Sequence, residues 1–568
     1  MEIRETKLKN SNLISSESNE TKNLKEQRLE NSLTLRKRKI NDILSKKRGF
    51  NRFKKEGEKG YKLVKEELNI PYQIKNKKYN DLDHFLKDMK VFIQSDDFEY
   101  NKYALYCIRS QTINNEGTSD KNLYAELLHK QNFIYDILNL ILKYFDNKYI
   151  IFEGIWILIN TVYYQKDNLN LILFLINEKY IQLYIKILDK KDNQLRLNLY
   201  CFLLNLLSNS HYGLTNEVLI HFYMSNLFKL YIIKDLQDMN SKLTEDELIY
   251  LLTILVILSD FIVETNSNLK VNDIKNFINY NSTVDYNSIK EYNNYLLENS
   301  LLIFINYINN PNLTSHCLLG ISKLSNLLDN STYKLLYDSN ICYKIIKGDI
   351  KVEEEFVNNA VQIIGNFLMF TPFELIDKNS LEKILVYFVK LLQTYPKSQN
   401  LKRDIFWSAS NINEGEKYAS LLIKSGLLVL ALQSIYSDND DVIKEALYLL
   451  LDFFYIKNIE IIINNYHLDY IKNLVLCLKN IHNRCTAGET FQNKKIVEEV
   501  LSCICSLFEI GDLLKIENFE NKFIKDFDKN GGFELLETML SEKNFSEEFI
   551  QLCEKILNLN NNQKINSF

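Results

Sequence analysis

Apolar residues recur at helical spacing over almost the whole of this chain. From about Tyr79 to Leu559, one amphipathic segment follows another, with polar residues between the apolar positions. Tight turns rely on glycine and proline. The 15 Gly and 4 Pro in 568 residues are too few to punctuate a sheet-rich protein of this length. The pattern therefore predicts an all-helical body. Upstream, residues 1 to about 22 are polar and rich in Ser, Asn, Lys and Glu, a composition that builds no core. Residues 24–48 return to a helical pattern. Leu29, Leu33, Ile40 and Leu44 lie 4, 7 and 4 apart, and basic residues cover the other faces. Gly49 to Gly60 is charged and reads as a linker.

The helical segments repeat. GIWILINTV around Asn160, LYCFLLNLL around Asn205, IFWSASNIN around Asn411 and LYLLLDFF around Asp452 align on one pattern: an apolar helix with Asn or Asp one turn after a large residue. AVQIIGNFL around Asn366 fits with Gln362 in the first position. The marks are 45 apart from Asn160 to Asn205, 45 from Asn366 to Asn411 and 41 from Asn411 to Asp452. LTILVILSD and LGISKLSNL fill the interval between Asn205 and Asn366 as degenerate units. A period near 40–47 residues with three helical pieces per unit predicts armadillo or HEAT repeats. The expected fold is an all-α, right-handed superhelical armadillo solenoid with a basic N-terminal arm. Its parts would be an arm and linker at 1–58, about ten repeats at 59–559 and a disordered tail at 560–568. A single repeat cannot bury its apolar face alone, whereas a stack makes a continuous core and a groove lined by each third helix. Trp156 and Asn160 share one helical face, as do Trp407 and Asn411.

Charge sharpens the division between arm and body. Lys25 to Lys59 holds 13 Lys/Arg against 5 Asp/Glu, a net of +8, so a chain of net charge −4 carries −12 elsewhere. Such an arm suits a partner of opposite sign, or folding back onto its own body. The longest apolar run, Leu248 to Leu258, is about half the ~20 residues that a membrane-spanning helix needs, and the charged N-terminal stretch lacks a signal-peptide core. Nine scattered cysteines suit a reducing compartment. Cys503 and Cys505 form a C-x-C without companion ligands, so neither a metal nor a cofactor is expected. The seven histidines are dispersed. No Gly-rich phosphate loop, nucleophile elbow or paired metal motif occurs, which argues against an enzyme.

Three stretches resemble the importin alpha family, the adaptors for cargo that carries nuclear localisation signals. LLQTYPKSQNLKRDIFWSASNINEGEKYASLLIKSGLL (391–428) is similar to the seventh repeat of that family, including Gly426 before the next helix. NKFIKDFDKNGGFELLETMLSEKN (521–544) resembles its short last repeat, and RLENSLTLRKRKINDILSKKRGF (28–50) its importin-beta-binding arm. The resemblance implies that groove Asn amides bond an extended cargo backbone, Trp slots grip Lys and Arg stems, and acids pair the charged heads. Cargo-binding residues would be Trp156, Asn160, Asn205, Asn366, Asp404, Trp407, Asn411, Glu445, Tyr448 and Asp452. Cys201 stands at the third Trp position with Asn209 in the following acidic one, and Gln362 replaces an Arg. Leu252 and Val256 replace the fourth pair. Leu319 follows His316 in the fifth. The intact Trp407–Asn411 pair makes the C-terminal half the expected main contributor to cargo affinity. Importin beta would be bound by Arg28, Arg36, Lys37, Arg38, Lys39, Lys46, Lys47 and Arg48, and without it this arm would compete with cargo. The implied partners are importin beta, basic signal peptides of cargo proteins and a recycling exportin with Ran, with no membrane insertion and no direct nucleic acid. The implied location is cytoplasm and nucleus, with shuttling through nuclear pores. A cytosolic armadillo scaffold without transport role is the alternative, which the eroded fourth and fifth repeats suit. A nucleic-acid-binding solenoid would need a basic groove, whereas the body is acidic.

Overall fold

The computed structural model describes residues 81–114, 118–165, 168–208, 227–238, 243–266, 286–327, 333–412, 415–455, 459–486, 494–513, 521–541 and 547–566, together with Ile74, Lys77 and Tyr79. Among them there is no strand, and helices follow one another at the expected period. The chain forms two compact units, residues 1–257 and 258–568.

In the first unit, the sets are 82–93 with 98–114, then 118–130, 133–143 and 148–164, then 169–175, 178–189 and 193–208. The last member of each is the long inner helix: α1 (Phe98–Asn114), α2 (Lys148–Tyr164) and α3 (Asn193–Ser208), packed α1 on α2 on α3. LTILVILSD lies on helix Glu245–Asn266, within which this unit ends.

The second unit continues the series. Its inner helices are α4 (Thr314–Leu324), α5 (Val357–Phe370), α6 (Gln399–Ser410), α7 (Asp440–Tyr455), α8 (Lys494–Leu513) and α9 (Glu547–Asn566), each packed on its successor. Two shorter helices stand before α7 (415–425 and 427–434) and before α9 (522–529 and 532–541).

Local chemistry sets the helix ends. Asn147 caps α2 by accepting from the Ile150 amide (3.2 Å), and Ser398 caps α6 through the Leu401 amide. Capping matters because the first-turn N–H groups have no partner inside the helix. Gly426 occupies the left-handed region (φ 81°) between helices 415–425 and 427–434, a conformation in which a Cβ would be strained. This is the glycine the sequence places before the next helix. Helix α5 buries apolar residues on nearly every side: Val357, Ala360, Val361, Ile363, Ile364, Phe367 and Leu368. The final helix runs on to Asn566, past the end expected at Leu559. No Gly or Pro interrupts that stretch, and extending an existing helix is far easier than nucleating one.

Candidate functional site

The residues of the expected groove lie on or at the end of the inner helices, and Asn205, Asn366, Asp404, Trp407 and Asn411 each meet a neighbour about one repeat away. On α2, Trp156 is 6% exposed and packs in a tilted arrangement on Phe152, their ring centroids 6.3 Å apart. Asn160 is buried one turn further on. On α3, Asn205 donates through Nδ2 to the Ile159 carbonyl (3.4 Å), and Cys201 is buried where the sequence lacks a Trp.

The second unit repeats this geometry. Asn411, which ends α6, donates to the Gly365 carbonyl of α5 (3.2 Å). Ile159 and Gly365 each stand one residue before the preceding register position, Asn160 and Asn366. The amide therefore ties a repeat to its predecessor at one fixed place. Asn366 is fully buried and donates to Ser325 Oγ (2.8 Å) and Asn326 Oδ1 (3.1 Å) at the end of α4. Trp407 is 3% exposed and lies over Gly365, where a Cβ would fall 2.5 Å from the indole.

Asp404 sits one turn before Trp407, as the sequence places it, but its carboxylate is already engaged. Oδ1 accepts from Arg403 Nε (2.9 Å) and Nη2 (2.6 Å), while Oδ2 accepts from Gln362 Nε2 (3.0 Å) and Asn358 Nδ2 (3.1 Å). Only 1% of Asp404 is exposed. Burial works against the Arg403 charge, but Asp404, then Asp441 and Glu445, hold its pKa above the ordinary value. On α7, Tyr448 is buried with Lys444 Nζ 5.8 Å from its ring centroid. Glu445 and Asp452 are half-buried, with Glu445 Oε2 out of contact with solvent, and Asp441 is exposed, so α7 keeps the Asp441 carboxylate at its solvent edge.

Several polar contacts escaped the sequence reading. Glu153, one turn before Trp156, forms a fully buried ion pair with Arg109 of α1. Burial pushes the Glu153 carboxyl up, and Arg109 pulls it back. Asn359 of α5 donates to Ser322 Oγ of α4 (2.8 Å). Lys323 follows Leu319 by four residues, the spacing of Asn411 from Trp407, and its buried ammonium pairs with Asp260. Arg109 precedes Glu153 by 44 residues, about one repeat; that coincidence is the signal that could have revealed the pair.

The basic residues Arg28, Arg36, Lys37, Arg38, Lys39, Lys46, Lys47 and Arg48 lie outside the described residues, as does Asn209. Leu252 and Val256 are buried, and His316 is half-buried on α4. Burial pushes the thiol of Cys505 up to about 11 and that of Cys503 further. No group of three or more His, Cys, Asp or Glu among the described residues could hold a metal ion, and no described helix is long and apolar enough to cross a membrane.

No family model and no curated protein sequence matches the chain. Solved structures do resemble it. An engineered protein superposes with a TM-score of 0.58 at 14% identity, over 84% of this chain and 98% of its own. A structure from work on a phosphorylation switch controlling the interaction between cadherin and beta-catenin gives 0.53 at 11% identity, over 84% and 95%. A designed armadillo repeat protein in complex with the peptide (KR)4 overlaps less, with a TM-score of 0.36 at 19% identity over 46% of this chain and 98% of its own. The first two superpositions, together with the helical period, define the class: an all-α armadillo-repeat solenoid.

Proposed function

We propose that this chain is an adaptor that binds an extended, basic segment of a cargo protein along the inner helices of its second unit and docks to importin beta through its N-terminal arm. In this reading it shuttles between cytoplasm and nucleus and is recycled by an exportin with Ran. The observation that carries the proposal is the pairing of Trp407 and Asn411 with Tyr448 and Asp452 on neighbouring helices α6 and α7, flanked by Asp441 and Glu445. The α7 carboxylates beside these buried rings suit the charged heads of Lys and Arg. The resemblance of residues 28–50 to an importin-beta-binding arm supplies the second partner. Exposed Asp441, with the half-buried Glu445 and Asp452 beside it, then leads the charge recognition that the sequence assigns to Asp404 and Glu445, because the acceptors of Asp404 are filled from within.

A second reading is favoured by the same contacts. The amides of Asn205, Asn366 and Asn411 are spent between repeats, which suits an armadillo scaffold without transport role. Capture of the full-length chain by immobilised importin beta, compared with a chain beginning at Lys59, separates the two. The adaptor binds full length and loses binding on truncation. Absence of binding by the full-length chain sinks the transport reading.

A further inference from the structure

Away from the inner helices, the second unit carries an open groove of about 1710 Å³ between residues 337–352 and 375–395. We propose that this groove binds an extended acidic peptide of a partner protein, with alternating carboxylate and apolar side chains. It is a site separate from the cargo face, and the proposal stands whether or not that face binds basic segments.

The groove walls are built alike. Tyr337 and Tyr343 stand on one side and Tyr387 and Tyr395 on the other, all half-buried. Tyr337 stacks on Phe367 at 6.5 Å and Tyr343 meets the same ring edge-on at 6.3 Å, so the first wall is braced from behind. Val386 and Leu375 leave 52% and 43% of their surface exposed within the groove. Helix Lys378–Thr394 presents Lys383, Val386, Tyr387, Lys390 and Thr394 toward it, the spacing of one helical face. The helix is 17 residues long, or about 25 Å at 1.5 Å per residue, which an extended peptide of about eight residues matches.

Charge selects the occupant. Among the described residues, Lys344, Lys351, Lys383 and Lys390 line the groove with no carboxylate within ion-pairing distance. The acids beside them are mostly engaged. Glu382 pairs with Lys424 (2.6 Å), Asp349 with Lys347 (3.7 Å), and Asp377 caps its helix by accepting from the Asn379 and Ser380 amides. Asp338 remains. Four ammonium groups around tyrosine faces and an apolar floor attract carboxylates that alternate with apolar side chains, as in a strand whose side chains point to opposite sides. Lysine provides charge without fork geometry, which suits a carboxylate ladder better than a single bidentate anion.

The test is fluorescence anisotropy on the full chain, with a labelled eight-residue peptide alternating Glu and Leu. Its counterparts alternate Gln with Leu, or Glu with Ser. The Glu–Leu peptide should bind at least tenfold more tightly than either, and binding should weaken as salt rises. The exposed double variant Lys383→Glu/Lys390→Glu should weaken it by tenfold or more with unchanged far-UV circular dichroism, and Val386→Ser should weaken it by a smaller factor. Equal affinity for the Gln–Leu peptide, no response to the lysine reversal, or displacement by inorganic phosphate as effective as by unlabelled peptide would each overturn the proposal. The cargo face is read independently with a basic peptide, whose binding these variants should leave unchanged.

Discussion

Gly365 illustrates how closely neighbouring repeats meet at single residues. A Cβ there would fall 2.4 Å from Ser408 Oγ and 2.5 Å from the Trp407 ring. Gly365→Ala should therefore destabilise the second unit by about 1–3 kcal/mol through overpacking, read as a lower denaturation midpoint. A midpoint within error of the parent would show that the α5–α6 contact yields freely. Asn366→Ala should cost about 1–3 kcal/mol for another reason, since it leaves Ser325 and Asn326 buried with one donor fewer. The burial of Trp407 and Trp156 changes how their substitutions must be read. Either Trp→Ala change removes a core ring and costs about 3–5 kcal/mol. The expectation that the C-terminal half contributes most to cargo affinity predicts a greater loss of peptide binding for Trp407→Ala than for Trp156→Ala, measured on protein shown by circular dichroism to remain folded.

At the scale of elements, the inner helices are coupled by polar side chains as well as by apolar faces. The Arg109–Glu153 pair joins α1 to α2 with no exposure to solvent. Removing one member strands a buried charge, so Arg109→Met alone should cost about 3–5 kcal/mol. The double change Arg109→Met/Glu153→Leu should recover much of that loss, and a denaturant double-mutant cycle measures the coupling. Additive single costs would mean the pair contributes nothing specific. On α7, Glu445 and Asp452 are half-buried while Tyr448 is fully buried. Glu445→Lys/Asp452→Lys should thus reduce affinity for a labelled basic peptide about tenfold or more without changing helix content, given that charge-assisted contacts contribute about 1.5–3 kcal/mol each. Retained affinity would remove these carboxylates from the proposed site.

For the whole molecule, the segment of net charge +8 on a remainder of −12 predicts a competition that no single repeat contains. A tethered basic segment faces its own body at an effective concentration that reaches about millimolar. Deleting residues 1–58 should accordingly tighten binding of a basic peptide, with a gain that shrinks as salt rises, because exposed charges are screened. Titration of both chains at two ionic strengths checks this. Equal affinities at low salt would argue against competition by the arm.

What the sequence determined by itself is what local spacing encodes. A helix follows from apolar residues three and four apart, so the helical body and its period near 40–47 were legible, as were Trp407 and Asn411 on one face and Gly426 between two helices. These properties depend on neighbours within one or two turns. Tertiary structure decided which polar groups remain available to a ligand. Asp404 looks like an open carboxylate in the chain, but Arg403 beside it takes one oxygen, and Asn358 and Gln362 from the preceding repeat take the other. The amides of Asn205, Asn366 and Asn411 are likewise taken by groups 41–46 residues away. The lysine and tyrosine groove comes from two stretches whose residues carry no mark of each other in sequence. A side chain's type fixes what it can bond, but its partners are set by packing between repeats, where burial makes an unpaired polar group costly and draws each one to whatever lies across the interface.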